Sequence, residues 1–315
     1  MSARPPAVAS GVLVVDKPAG ITSRGAVAEV GRRLDTRRAG HAGTLDPMAT
    51  GVLVVCLGEA TKIAGLLVAD DKSYDGELEL GRETDTLDAD GQVVRERIAE
   101  AAAVDRAALA AAMAALVGDI EQVPPMYSAV RQAGRRLHEL ARAGQEVERA
   151  ARAVTVRRFD LLALDLLSFG APRASFAVDC SKGTYVRSLV ADVGEALGCG
   201  AHLTALRRTR SGGFGLDRAL ALADVSPDTV ALPGRLVDPA DALVHLPRIG
   251  LTPDQAAAVA HGKPLSWQDL SPAEAPAGPV CMLAPGGKLL ALVEVEGLRI
   301  RYRRVFPLTR EGAGS

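Results

Sequence analysis

Two short apolar runs constrain this chain most. Residues 11–16 read GVLVVD and stop at Lys17-Pro18-Ala19-Gly20, and a second run, VLVVCLG, begins at Val52. Runs of this length, rich in β-branched residues and closed by glycine or proline, are the pattern of buried strands. Between them Thr22 or Ser23 is placed to cap a helix reaching about Leu34, with Val27, Val30 and Leu34 at helical spacing. From Lys72 the pattern alternates instead: Tyr74, Gly76, Leu78 and Leu80 share one face and Asp75, Glu77 and Glu79 the other. That predicts a half-exposed strand.

Further along, the DADG at 88–91 predicts a hairpin-type turn, and Asp105 is placed to cap an alanine-rich helix to about Val117. Residues 124–152 form a polar, Arg-rich excursion around one short helix. Strands are expected at 153–168 and 173–180, then a helix from Thr184 to Leu197 with a stripe of Val186, Leu189, Val190, Val193 and Leu197. Strand and helix patterns interleave without a regular βαβ repeat, so the expected class is α+β with a mixed, largely antiparallel central sheet. The texture changes near residue 246. A short strand, a helix-like PDQAAAVAHG, a Pro/Ala-rich loop at 271–279 and three strand-like stretches follow. The reading is therefore two domains, 1–245 and a small β-rich 246–315.

Charge decides which partners to consider. The net charge is -1, which taken alone argues against a polyanion partner. The distribution argues otherwise: residues 70–100 carry eleven acids against four bases, while Arg clusters at 131–158, 201–218 and 298–310. Cationic segments in both expected domains are the footprint of a nucleic-acid binder, although any single run also reads as a solvated face. Cys56, Cys180, Cys199 and Cys281 lack metal-ligand spacing, so no metal is expected. No secretory or membrane-spanning segment is legible in the chain, which predicts a cytoplasmic protein with reduced thiols.

Two stretches carry chemistry. In GHAGTLDPMATG, residues 40–51, three glycines shape a loop that presents His41 and Asp46, with Pro47 pushing Asp46 toward extended backbone. Asp-Pro is also a common turn start, and from the residues alone the plain turn is the favoured reading. In CSKGTYVR, residues 180–187, a strand turns into a helix capped by Thr184, and Tyr185 and Arg187 flank its apolar stripe. The helix dipole disfavours an Arg in the first turn, so either an anion faces Arg187 or the side chain is solvated.

These two motifs, with VVDKPAGITS at 14–23, KSYDGELELGRETDTLDADG at 72–91 and PPMYSAV at 124–130, closely resemble the TruB family of bacterial pseudouridine synthases. That family acts on the T-loop uridine of tRNA. The resemblance runs in order over about residues 11 to 215. The tail resembles, more weakly, the family's small PUA-like RNA-binding domain.

The resemblance implies a tRNA pseudouridine synthase without a cofactor, working as a monomer on the tRNA T-arm. It implies Asp46 as the catalytic nucleophile, Arg187 as its ion-pair partner holding the Asp46 pKa down, Tyr74 stacking on the extruded base, and Tyr185 as a second active-site tyrosine. It further implies His41 entering the T-loop, Lys17 and Pro18 bordering the site in a largely structural role, Leu206 in the base pocket, and 124–152 as an RNA-clamping insertion. Two other readings are a noncatalytic tRNA-binding or tRNA-folding protein and a carboxylate-dependent glycoside hydrolase. No second acid stands in an equally distinctive motif to support the hydrolase.

Overall fold

The computed structural model describes residues 10–68, 71–128, 130–132, 134–145, 147–166, 170–228, 232–263, 265–270 and 274–307. Of the segments read from sequence, Asp70, Ala129, Ala133, Glu146, residues 167–168, residues 271–273 of the Pro/Ala-rich loop and residues 308–315 lie outside these.

The two apolar runs become the strands Gly11–Lys17 and Thr50–Leu57, antiparallel to each other from Gly11↔Leu57 to Lys17↔Gly51. Their side chains divide by the period of two. Leu13, Val15, Leu53, Val55 and Leu57 enter one core, and Val12, Val14, Val52, Val54 and Cys56 enter another. A strand that reads as continuously apolar is one covered on both faces, and both covers are present. The first is helical: Ala26, Val27 and Val30 of the helix Ser23–Arg33, and Leu189, Val190 and Val193 of the helix Val186–Ala196. The second includes Cys281, Leu289, Leu292 and Phe306 from the C-terminal part of the chain. Burying each large aliphatic side chain contributes roughly 1.5–3 kcal/mol.

These strands belong to an eleven-stranded mixed sheet. Its main path runs Leu220–Ala221, Gly11–Lys17, Thr50–Leu57, Ala201–Ser211, Lys72–Leu80, Arg173–Cys180, Arg152–Asp165 and Gly118–Gln122. Among the described residues only two pairings in it are parallel, so the expected largely antiparallel α+β architecture holds. One of these joins Thr50–Leu57 to Ala201–Ser211 through Arg207↔Thr50 and Arg208↔Gly51 alone. At that narrow contact Gly51 has φ +97°, and a Cβ there would stand 2.2 Å from the Arg208 carbonyl oxygen. Glycine is thus required by conformation and by space.

Several local expectations are corrected. Glu79 is buried, not on an exposed face, because Arg82 and Arg173 pair with it at 2.7 and 2.8 Å. The 40–51 stretch is not wholly loop, since Ala39–Ala42 is a strand on Val54–Leu57. Thr184 does not cap the following helix: Tyr185 holds the N-cap position, and the Thr184 hydroxyl donates to Ser181 O instead. The alanine-rich helix is Arg106–Ala114, shorter than expected, with Asp105 accepting from Ala108 N as its cap.

The C-terminal part forms a four-stranded sheet, Arg248–Gly250, Pro279–Leu283, Leu289–Glu296 and Arg299–Val305. The helix Pro253–Ala260 packs on it, started by a Thr252–Gln255 capping box. Trp267, Met282, Leu290 and Val293 build its own core. Lys62, on the short helical turn Gly58–Ile63 that follows the strand Thr50–Leu57, donates to Val305 O at 2.7 Å with its ammonium 5.1 Å from the Phe306 ring centre.

Candidate active site

The loop carrying Asp46 leaves the strand Ala39–Ala42 and re-enters the sheet at Thr50. Its backbone is held from three sides. The Ser23 hydroxyl donates to Leu45 O at 2.9 Å and accepts from Leu45 N at 2.7 Å. The fully buried Lys17 ammonium donates to Pro18 O, Ile21 O and Pro47 O, and Gly20 N also donates to Pro47 O. Arg208, also buried, donates to Gly43 O, Thr44 O and Val52 O. A loop whose carbonyls are this fully engaged presents its carboxylate in a fixed place.

Opposite stands Arg187, 4% exposed, on the second residue of the helix Val186–Ala196. Its Nε lies 3.0 Å from Asp46 Oδ2. The rest of the guanidinium is occupied: Nη1 donates to Thr86 O at 2.9 Å and Asp88 Oδ2 at 3.0 Å, and Nη2 to Tyr127 O at 2.9 Å. Arg187 therefore faces anions and is not solvated. Asp46 is the open end of this chain of charges, with its side chain 35% exposed while that of Asp88 is 5% exposed.

The electrostatics differ from the sequence-based expectation. Burial raises the Asp46 pKa; Arg187 opposes this, and Asp88 reinforces it. Desolvation outweighs the ion pair, so the expected net downward shift is corrected. Burial also pushes Lys17 down to about 8, with Asp46 pulling it up and Arg208 pushing it lower. The Tyr74 hydroxyl is raised by burial and drawn back by the charge of Arg208, its partner across the sheet. The His41 imidazole is lowered by burial and then by Arg208.

The remaining residues singled out from sequence sit as follows. Tyr74 is buried on Lys72–Leu80, two positions from Gly76, and Gly76 pairs with Leu206 on the neighbouring strand. Tyr74 and Leu206 share one apolar core. His41 is half-buried on Ala39–Ala42, opposite Val55. Tyr185 is half-buried, and its backbone is gripped by Gln122, whose side chain accepts from Tyr185 N at 2.7 Å and donates to Tyr185 O at 3.1 Å.

Sequence reading missed Asp88, Gln122 and Arg208 as parts of this arrangement. Asp88 was hidden inside DADG, which reads as a turn. Its position two residues after Thr86, whose hydroxyl donates to its Oδ1 at 2.6 Å, is the local signal for a fixed carboxylate. Arg208 stands in an Arg-rich segment and reads as a phosphate contact, yet it is 1% exposed. Gln122 has no signal in the chain.

The family model for the "TruB family pseudouridylate synthase (N terminal domain)" matches residues 32–186. "tRNA pseudouridylate synthase B C-terminal domain" matches 187–245 and "tRNA Pseudouridine synthase II, C terminal" matches 246–307. The chain is 43% identical over 302 residues to tRNA pseudouridine synthase B of Azoarcus sp. (strain BH72), covering 96% of each protein. It is 47% identical over 289 residues to tRNA pseudouridine synthase B of Mycobacterium sp. (strain KMS), covering 91% of this chain and 93% of that one. Among solved structures, a chain of a Cbf5–Nop10–Gar1 complex superposes with a TM-score of 0.71 at 27% identity, over 94% of this chain and 84% of that one. A chain of the archaeal box H/ACA sRNP Nop10–Cbf5 complex gives 0.68 at 27% identity, over 94% and 85%. With three family models spanning its Asp46 loop, its Arg187 helix and its C-terminal sheet, the chain belongs to the TruB family of tRNA pseudouridine synthases.

Proposed function

We propose that Asp46 is the nucleophile with which this tRNA pseudouridine synthase isomerises uridine 55 of the tRNA T-loop to pseudouridine. The observation that carries this is the Asp46–Arg187 pair: a half-accessible carboxylate on a fully fastened loop, with a buried guanidinium 3.0 Å away. Carboxylates form covalent intermediates at sugar carbons, and a preformed charged partner lets one do so without reorganisation. In the reaction the bond from ribose to N1 breaks and one from ribose to C5 forms. The C5 proton leaves to solvent and N1 gains a proton, so no oxidant or reductant is consumed.

The target base is stacked inside the T-loop and leaves that stack before reaction, at a cost of a few kcal/mol. Tyr74 stacks on the flipped base, Leu206 lines its pocket, Tyr185 borders the ribose, and His41 fills the vacated place in the loop. The neutral state favoured for His41 by its burial suits insertion among bases. Residues 124–152 clamp the T-arm. In support, Tyr127 of that segment accepts from Arg187 through its carbonyl, which couples the clamp to the site. Residues 246–315 add a second RNA contact, for which exposed Arg299 and Arg304 of the strand Arg299–Val305 are the candidates. Phosphates and helix shape are the features such surfaces read in RNA.

The test is an unmodified tRNA transcript tritiated at uridine C5. Isomerisation releases tritium to water, a hydrolase would release free uracil, and a noncatalytic binder would do neither. Tritium release without free uracil is the expected result.

A further inference from the structure

Arg208 is among the largest fully buried side chains of the protein, at 1% exposure. A buried guanidinium is costly unless its donors are satisfied. Among the described residues, none of its hydrogen-bond acceptors is a carboxylate. Nε donates to Val52 O at 2.7 Å, Nη1 to Thr44 O at 3.2 Å and Nη2 to Gly43 O at 3.1 Å, and on the neighbouring strand Arg208 stands directly opposite Tyr74. Gly43 and Thr44 precede Asp46, and Val52 follows it. The side chain therefore ties together the two ends of the loop that carries Asp46.

The backbone does the same at the far end. Arg208 pairs with Gly51, whose missing Cβ lets the strand approach to within 2.2 Å of where that atom would be. One residue thus fixes both ends of the Asp46 loop and pairs across the sheet with Tyr74, and its burial leaves no surface to offer to a phosphate. Its neighbour Arg207 contrasts with it: 41% exposed, it pairs with Asp16 at 2.7 Å.

We infer that Arg208 is a positioning residue for the chemical step, holding Asp46 and Tyr74 in register with each other, and is not part of the RNA-contacting charge. This rests on Asp46 being the nucleophile. Misplacing a reacting group by about 1 Å can cost on the order of 100-fold in rate. A Lys ammonium retains the charge but, as a single point donor, lacks the planar fork whose three nitrogens reach Val52 O, Thr44 O and Gly43 O separately.

The experiment compares wild type, Arg208→Lys, Arg208→Met and Asp46→Asn in two measurements on the full chain. These are the single-turnover rate of tritium release from saturated tRNA, and tRNA affinity as a function of salt. The expected result is a rate loss of about 100-fold in Arg208→Met and a smaller loss in Arg208→Lys. The Kd should stay within about threefold and the salt slope should not change, because no phosphate contact is lost. A folded Arg208 variant with the wild-type rate overturns the inference. So does a loss confined to affinity with a salt slope shallower by about one, the mark of a phosphate contact. If Arg208→Met does not fold, Arg208→Lys carries the same readouts. Turnover by Asp46→Asn would instead remove the nucleophile reading beneath the inference, which keeps the two failures distinct.

Discussion

Asp46 and Asp88 share one guanidinium: Arg187 holds Asp46 through Nε and Asp88 through Nη1, each at 3.0 Å. The inner carboxylate is buried and the outer one is open to a substrate, so Asp88 fixes the direction in which Arg187 presents its charge.

Asp88→Ala should therefore lower the single-turnover rate by about 10- to 100-fold while tRNA affinity stays within about threefold, since only orientation is lost. It should also destabilise the fold, by less than the about 3–5 kcal/mol of a fully stranded buried charge, because Asp46 still pairs with Arg187. Stopped turnover with paired thermal denaturation checks both, and an unchanged rate would contradict the orienting role.

The pH dependence follows from the same pair. Burial holds the Asp46 pKa above its ordinary value, so its charged carboxylate, the form the proposed attack requires, is lost to protonation at a higher pH than that of a free aspartate. The single-turnover rate should fall on the acid side above the ordinary range near about 4. Asp88 raises the Asp46 pKa by like charge, so Asp88→Asn should move that acid limb to lower pH even as the rate falls. A limb that stays in place in this variant would show that Asp46 is not the titrating group.

The C-terminal sheet gives two separable effects. Leu292 is buried in the core shared with Val12, Val14, Val52 and Val54, so Leu292→Ala should cost about 2–5 kcal/mol in denaturant unfolding. The double variant Arg299→Ala/Arg304→Ala lies on the exposed strand and should leave stability unchanged. It should weaken tRNA binding and make the salt dependence of log Kd shallower by about two. Equal affinity and slope would remove this strand from the RNA contact.

How far the chain was legible depends on whether a feature is local. The apolar runs at 11–15 and 52–57 and the alternation from Tyr74 to Leu80 predict their strands because side-chain period is a property of the strand itself. Asp46 and Arg187 stand out through glycine-shaped and helix-start contexts, again local. Asp88 and Arg208 did not, because their roles arise from partners 99 and 156 residues away. The same limit affects charge. The acids of 70–100 read as an exposed negative stretch, but Asp71, Glu79, Glu83, Asp88 and Glu96 pair with Arg157, Arg173, Arg97, Arg187 and Arg82. Much of the apparent acidity is neutralised within the fold, and part of the apparent basicity with it. Counting charges along the chain overstated both patches.

The central claim is that the carboxylate of Asp46 makes the covalent attack. Its most direct test is single-turnover tritium release from C5-labelled tRNA by Asp46→Asn, an isosteric change that keeps the loop contacts of Ser23, Lys17 and Arg208. The prediction is no release above background with tRNA binding within a few-fold of wild type; release at the wild-type rate would contradict the account.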